Sequence, residues 1–161
     1  MMDLEETGPV IELREAVRED LAEIVRLLAD DPLGLSREGN QNPLPSAYFD
    51  ALAVIAEDPN NEVLVAALAG RIVGVLQLTF IPSLTRIGSW RAQIEGVRVA
   101  AEHRGQGTGT QLMQWAIERA KTKKCRLVQL TMDRRRERAG GFYRRLGFVA
   151  THEGFKMEIE P

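Results

Sequence analysis

Arg104-Gly105-Gln106-Gly107-Thr108-Gly109 follows a strand-like run, Gln93 to Val99, and opens a helix-like run, Thr110 to Lys121. Three glycines in five positions let the backbone turn tightly and let a ligand approach the main chain. The first N–H groups of a helix have no partner within it, and the positive end of the helix dipole lies there. Such a turn can cradle a phosphate with backbone alone. The same glycines also suit an ordinary strand-to-helix connection. What lifts this stretch above that reading is its company: Glu95 upstream, and Phe142-Tyr143 with Gly147-Phe148 downstream.

The 161 residues fit one domain, 1–161, with length enough for a real core. Hydrophobic residues at 44% and charged residues at 27% are those of an ordinary globular protein. The net charge of -2 argues against a general nucleic-acid binder. A single cysteine, Cys125, cannot make an internal disulfide and suits a reducing compartment. The start, Met1-Met2-Asp3-Leu4-Glu5-Glu6, is acidic and lacks the apolar segment of a secretory signal. No apolar run approaches the roughly 20 residues of a spanning helix, so no membrane partner is expected. A cytoplasmic protein is the expectation.

Periodicity then places the elements. Val10 to Glu15 reads as a strand; Leu21, Ile24, Val25 and Leu28 recur on one helical face. Pro32, Gly34, Gly39, Pro43 and Pro45 mark residues 32–45 as a loop, and Ser46 is placed to cap a helix from Ala47 to Ala56. Val63 to Leu68 and Ile72 to Phe80 form an antiparallel hairpin about Ala69-Gly70-Arg71. Residues 81–89 read as a loop and Ala92 to Val99 as a strand. On the helix after the glycine turn, Leu112, Met113, Ala116, Ile117 and Ala120 share one side. Leu127 to Met132 is a further strand, and a short helix from Ala139 to Leu146 stops at Gly147. Phe148 to Val149 and Phe155 to Ile159 read as closing strands. Hairpins with one strand–helix–strand crossover imply an α/β (α+β) fold, a mixed and mostly antiparallel sheet of six to seven strands with helices on both faces.

The order of these elements, with Arg104 to Gly109 after a strand and Phe142-Tyr143-Arg144-Arg145-Leu146-Gly147-Phe148 about forty residues on, resembles the GNAT superfamily of acyl-CoA N-acetyltransferases. The family's phosphate-loop pattern, Arg/Gln-x-x-Gly-x-Gly/Ala, is met by Arg104, Gly107 and Gly109. The likeness spans nearly the whole chain in element order and is specific from Gln93 to Phe148. Gln93 to Val99 is also similar to the matching strand of glucosamine-phosphate N-acetyltransferases. The resemblance implies a sheet splayed between its fourth and fifth strands and acetyl-CoA as co-substrate there. It implies pantetheine contacts at Val97 and Val99, with the pyrophosphate on the N–H groups of Gly105, Gln106, Gly107, Thr108, Gly109 and Thr110. It implies a small-molecule amine as partner and leaves a homodimer open. A protein or peptide acceptor, or a module that binds acyl-CoA without turnover, are the alternatives.

Attack of an amine on a thioester requires a base, a donor to the developing oxyanion and a proton for the departing thiolate. Glu95 is the candidate base, or else a strand glutamate paired with an arginine. It stands two residues before Val97, which predicts a shared face and a partly desolvated carboxylate. The resemblance makes the Val97 N–H the oxyanion donor. Gly96 would permit a bulge that frees it, or would merely allow close packing. Tyr143 is the candidate acid, and through the thiolate a cofactor contact, since a phenol's ordinary pKa of about 10 exceeds a thiol's 8.5 or so. Its other reading is an aromatic anchor beside Phe142.

One departure from the family stands at Arg136, where many relatives carry an asparagine that helps hold the coenzyme. Arg134, Arg135, Arg136, Arg138, Arg144 and Arg145 form a basic cluster, read as a solvated face or as a contact for a coenzyme phosphate or an acidic substrate. His103, His152 and Cys125 fit no metal-ligand spacing, so no metal is expected. His103 reads as an exposed loop residue and Cys125 as a small core residue. Trp90 stands where it would line an acceptor site, make a dimer contact or pack.

Overall fold

The structure, a computed structural model, describes residues 10–160. The acidic start read above as no secretory signal lies outside the described residues. The elements are β1 (Glu12–Glu15), a 3-10 turn (Arg18–Asp20), α1 (Leu21–Leu28), α2 (Pro32–Leu35), α3 (Ser46–Glu57), β2 (Asn61–Leu68), β3 (Arg71–Pro82), α4 (Thr85–Gly88), β4 (Trp90–Val99), a 3-10 turn (Ala101–His103), α5 (Thr108–Thr122), β5 (Leu127–Leu130) and α6 (Glu137–Arg145).

Among the described residues five strands make one sheet, in the order β1-β2-β3-β4-β5. The first four pair antiparallel. β5 runs parallel to β4. The Arg126 N–H donates to the Trp90 carbonyl at 2.9 Å, and three residues further along both chains Gln129 Nε2 donates to Gln93 Oε1 at 2.7 Å. A parallel neighbour needs a crossover, and α5 supplies it.

The expected six to seven strands are therefore corrected to five. Phe148 to Val149 and Phe155 to Ile159 form neither helix nor strand. Their apolar residues find nothing to bury against: Val149, Phe155, Met157 and Ile159 are 77%, 90%, 84% and 83% exposed. Alternation makes a strand only where an edge and a face receive it. The 32–45 loop begins with a helical turn, because Asp31 accepts from the Gly34 N–H and Pro32 takes the first helical position. Ser46 does not cap α3. It is the first helical residue, and Pro45 precedes it with no side-chain hydrogen bond. The connection from β3 to β4 is tighter than a plain loop, with Arg86, Ile87 and Gly88 left-handed at φ 54°, 61° and 64°.

Register decides which side chain meets which helix. On β3, Leu76, Leu78 and Phe80 are buried on one face with Gly74, where an added Cβ would meet Leu112 of α5 at 3.5 Å. Leu112, Met113, Ala116 and Ala120 of α5 are buried, as its apolar stripe predicts; Ile117 is half-buried. Each such leucine or methionine contributes about 1.5–3 kcal/mol by leaving water. Arg119, also on α5, pairs through Nη2 with buried Glu62 of β2 at 2.6 Å and with Glu15 of β1 at 3.2 Å. α1 lies on the opposite face: its Leu21, Ile24, Val25 and Leu27 are buried, with Leu28 half-buried. Glu23 of α1 accepts from the Ile72 N–H of β3 at 2.7 Å and pairs with Arg71.

The chain divides into two compact units after Gln129. The first holds β1 to β4, α1 to α5 and most of β5. The second holds α6, whose Gly140 lies so close to Met132 that an added Cβ would meet that side chain at 3.5 Å.

α1 is fixed at its entry by Asp20, which is 7% exposed. Arg14 reaches both its oxygens, at 2.6 and 2.9 Å, and the Val17 N–H donates to it at 2.8 Å. The Arg14 hydrogen bonds hold the carboxyl below its ordinary value of 3.8, against the upward push of burial. A carboxylate with a depressed folded pKa stabilises fully above its unfolded pKa, and loses that contribution as pH falls through the folded value. Asp20→Asn should cost about 2 kcal/mol at pH 7, and the gap from the parent should shrink below about pH 4. Denaturant midpoints at pH 7 and pH 3 measure both; an equal gap at the two would exclude an ionised Asp20 as the cause.

Candidate active site

The site is built where β4 runs into α5. Along β4, Gln77 pairs with Glu95 while Val75 pairs with Arg98, so Leu76 faces two residues, Gly96 and Val97. That is a β-bulge, and Gly96 carries it with φ 63°. The bulge permitted by Gly96 is present. It also changes the faces. Gln77 and Val75 stand two apart on β3 and share a face, so their partners Glu95 and Arg98 share one too. The expected common face of Glu95 and Val97 is thereby corrected, because the extra residue reverses the alternation between them. Glu95 is exposed rather than partly desolvated, while Val97 and Val99 are half-buried.

Arg98 turns toward the end of α1. Its Nε lies 3.9 Å from Asp31 Oδ2, and its Nη1 donates to the Val97 carbonyl at 2.8 Å. The residues following α1 are thus tied to β4. Further along that segment, Tyr48 of α3 donates to Glu38 at 2.6 Å and accepts from the Gly39 N–H at 3.0 Å. Burial first, then Glu38, raises the pKa of that phenol.

Past Val99 the Ala100 N–H donates to the Val73 carbonyl at 2.8 Å, and the chain enters the glycine turn. Arg104 Nε donates to the Val99 carbonyl at 3.1 Å, and Arg104 Nη2 lies 3.9 Å from Asp30. Gln106 Nε2 folds back onto the Glu102 carbonyl at 2.9 Å. Gly105 and Gly107 are left-handed at φ 74° and 87°, and a Cβ on either would meet nothing within 4 Å. Conformation rather than crowding demands glycine at both. Gly107 is the N-cap of α5 and makes no side-chain capping hydrogen bond; its carbonyl accepts from the Gln111 N–H at 3.0 Å. Gly105, Gln106 and Gly107 are exposed, Gly109 and Thr110 half-buried, and Thr108 is 2% exposed. The fifteen-residue α5 therefore starts without a side-chain cap, next to exposed Gly105, Gln106 and Gly107.

A cleft of about 440 Å³ opens beside this helix start, lined by Val10, Ile11, Leu68, His103, Gln106, Thr108 and Gln111. His103, expected on an exposed loop, is half-buried in that lining. Cys125, expected in the core, is half-buried in the turn before β5, where burial raises its thiol pKa against the opposing charge of Lys123. Among the described residues no three His, Cys, Asp or Glu side chains cluster to hold a metal, and no helix is long and apolar enough to cross a membrane.

In the second unit, Tyr143 is half-buried on α6, its ring 5.3 Å from that of Phe142 and 6.1 Å, edge-on, from that of Phe148. Gly147 closes the helix at φ 95°. Of the basic cluster, Arg134, Arg135, Arg138, Arg144 and Arg145 are exposed. Arg135 pairs with Asp133 at 2.8 Å and Arg134 with Glu153 at 3.4 Å.

Two groups escaped the reading of residue types. One is the Arg98–Asp31 contact, which joins residues 67 apart in sequence. The other is Arg91, whose Nη1 donates to Ser83 Oγ at 3.3 Å across the β3–β4 turn. The alternation of β4 was the one signal that placed Arg91 on the face of Glu95.

The sequence profile described as the acetyltransferase (GNAT) family matches residues 21–148. Over 156 residues, 96% of each chain, the sequence is 32% identical to an aminoalkylphosphonate N-acetyltransferase of Salmonella typhimurium. Over 90 residues, 56% of this chain and 59% of the other, it is 34% identical to a glucosamine 6-phosphate N-acetyltransferase of Trypanosoma brucei brucei. A crystal structure of a transcriptional regulator from Bacillus halodurans C-125 superposes with a TM-score of 0.91 at 53% identity, covering 93% of this chain and all (100%) of that one. An open helix start behind a bulged strand, within a profile match that spans most of the chain, is decisive: the chain belongs to the acetyltransferase (GNAT) family and is an acyl-CoA-dependent N-acetyltransferase.

Proposed function

We propose that this chain transfers an acetyl group from acetyl-CoA to the primary amine of a small molecule by direct attack in a ternary complex. The observation that carries the reading is the uncapped start of α5, reached through two left-handed glycines directly after the bulge of β4. Open space at Gly105 and Gly107, with Arg104 and Gln106 bonded back to backbone carbonyls, supports a pyrophosphate there. In this reading Gly105, Gln106, Gly107, Thr108, Gly109 and Thr110 bind the pyrophosphate through backbone, while Val97 and Val99 pair with the pantetheine arm. Arg104 acts as a positioning residue, since it grips the Val99 carbonyl at the strand end.

When bound, acetyl-CoA supplies the thioester carbonyl that the amine attacks. Glu95, which is exposed and so reachable, takes the proton from the incoming ammonium directly or through a water. The Val97 N–H, at the bulge, donates to the oxyanion, a contribution of roughly 3 kcal/mol to lowering the barrier. Tyr143 donates its phenolic proton to the departing thiolate. Two of the relatives are named for amines that carry a phosphonate or a phosphate. The acceptor proposed here is of that small-molecule kind.

The structure described as a transcriptional regulator, at 53% identity, supports a second reading. In it the chain holds acyl-CoA and docks a partner without turnover. Release of free thiol from acetyl-CoA across a panel of amines separates the two. Tight coenzyme binding with no thiol released by any amine would favour the regulator.

Three substitutions test the parts. Gly107→Val forces a β-branched residue to φ 87°, a strain of about 1–3 kcal/mol. Coenzyme affinity in calorimetric titration should fall at least tenfold while circular dichroism keeps the parent spectrum. Normal affinity would remove the cradle. Glu95→Gln should lower kcat about a hundredfold and abolish the acidic limb of the pH–rate profile; a retained limb assigns the base elsewhere. Tyr143→Phe should lower kcat about tenfold or more with little change in coenzyme affinity, and an unchanged rate would end its role as acid.

A further inference from the structure

Arg91 begins β4 on the same face as Glu95. Their partners on β3, Ile81 and Gln77, are separated by an even number of residues in a stretch of constant register, with Gln93 opposite Thr79 between them. Four strand steps of about 3.3 Å set the two backbones about 13 Å apart.

Arg91 is incompletely satisfied where it stands. Its Nη1 reaches Ser83 Oγ at a long 3.3 Å, and Ser83 Oγ lies 2.8 Å from Thr85 Oγ1. Its Nε is buried and has no hydrogen-bond partner among the described residues. A guanidinium N–H held away from water without a partner is a costly arrangement. A tetrahedral oxyanion receives Nε and Nη together in a fork that a carbonyl or hydroxyl cannot match. A group of that kind bound at the guanidinium satisfies the orphaned N–H, with the Ser83 and Thr85 hydroxyls beside it as further donors. Glu95 repels the same anion, so the pair sets the direction of the ligand: phosphorus end at Arg91, amine end at Glu95.

We propose that Arg91, with Ser83 and Thr85, forms the subsite for a phosphonate or phosphate group on the acceptor amine. This inference rests on the acetyl-transfer reading above and deepens it by naming the acceptor's chemical class. The residues are specificity-determining, not catalytic.

The test compares three amines of similar length: 2-aminoethylphosphonate, O-phosphoethanolamine and propylamine, each assayed by thiol release from acetyl-CoA. The parent protein should prefer one or both phosphorus-bearing amines over propylamine in kcat/KM, and which of the two ranks first distinguishes a phosphonate from a phosphate ester. Arg91→Met should reduce that preference about ten- to a hundredfold, mainly through KM. Arg91→Lys should restore part of it, because a point charge replaces the fork. No preference in the parent, or an equal loss for all three amines in Arg91→Met, would overturn the subsite. If no amine releases thiol, the transfer reading fails, and calorimetric titration of methylphosphonate decides the subsite separately. Weaker binding to Arg91→Met than to the parent sustains it; equal binding refutes it.

Discussion

One extra residue in β4 organises the active half of this protein. Because Leu76 faces both Gly96 and Val97, every side chain after the bulge changes face relative to those before it. Before it, Arg91, Gln93 and Glu95 look toward the side of α1; after it, Arg98 does so and reaches Asp31. Only a glycine accommodates the left-handed turn at φ 63° without strain. A regular strand here would send Arg98 toward α5 and leave Asp31 without that guanidinium. The bulge therefore joins a change of register and the anchoring of the α1–α2 corner in one backbone event.

The frame that holds the bulge in place is a sheet gripped from two sides. On one face α5 buries Leu112, Met113, Ala116 and Ala120, and its Arg119 ties Glu62 of β2 and Glu15 of β1. On the other, α1 is fixed at its start by Asp20 with Arg14 and midway by Glu23 with the Ile72 N–H. Removing either member of a shielded pair would strand a charge at an interface. These contacts tie both helices to the sheet, and with them the start of α5 to the end of β4. Catalysis by prealigned dipoles depends on such stiffness, since donors that must reorganise give back what they contribute.

The electrostatic plan follows the same axis. The start of α5 offers positive potential without a carboxylate cap to neutralise it. Glu95 is a negative group on the exposed side of the strand, and Arg91 and Arg98 flank it on the same face. The exposed arginines of the second unit are partly spoken for by Asp133 and Glu153, which suits a solvated surface.

Much of this was legible in the amino-acid order. The left-handed glycines at 105 and 107, the apolar stripes of α1 and α5, the β2–β3 hairpin and the crossover through α5 are local properties, and local patterns encode them. The possibility of a bulge was legible in Gly96 as well. Its consequence was not: the face of a residue beyond a bulge depends on the register of the neighbouring strand, which lies some twenty residues away. For the same reason Glu95 and Val97 looked like neighbours in sequence and proved to face apart, and Arg98 found a partner that no spacing rule connects to it. The carboxyl-terminal alternation from Phe155 to Ile159 is the converse case, in which a strand-like pattern is present and no strand forms. Residue type and period decided what each segment was able to become; pairing across the sheet decided which side chains meet, because contact is a property of two segments and periodicity belongs to one.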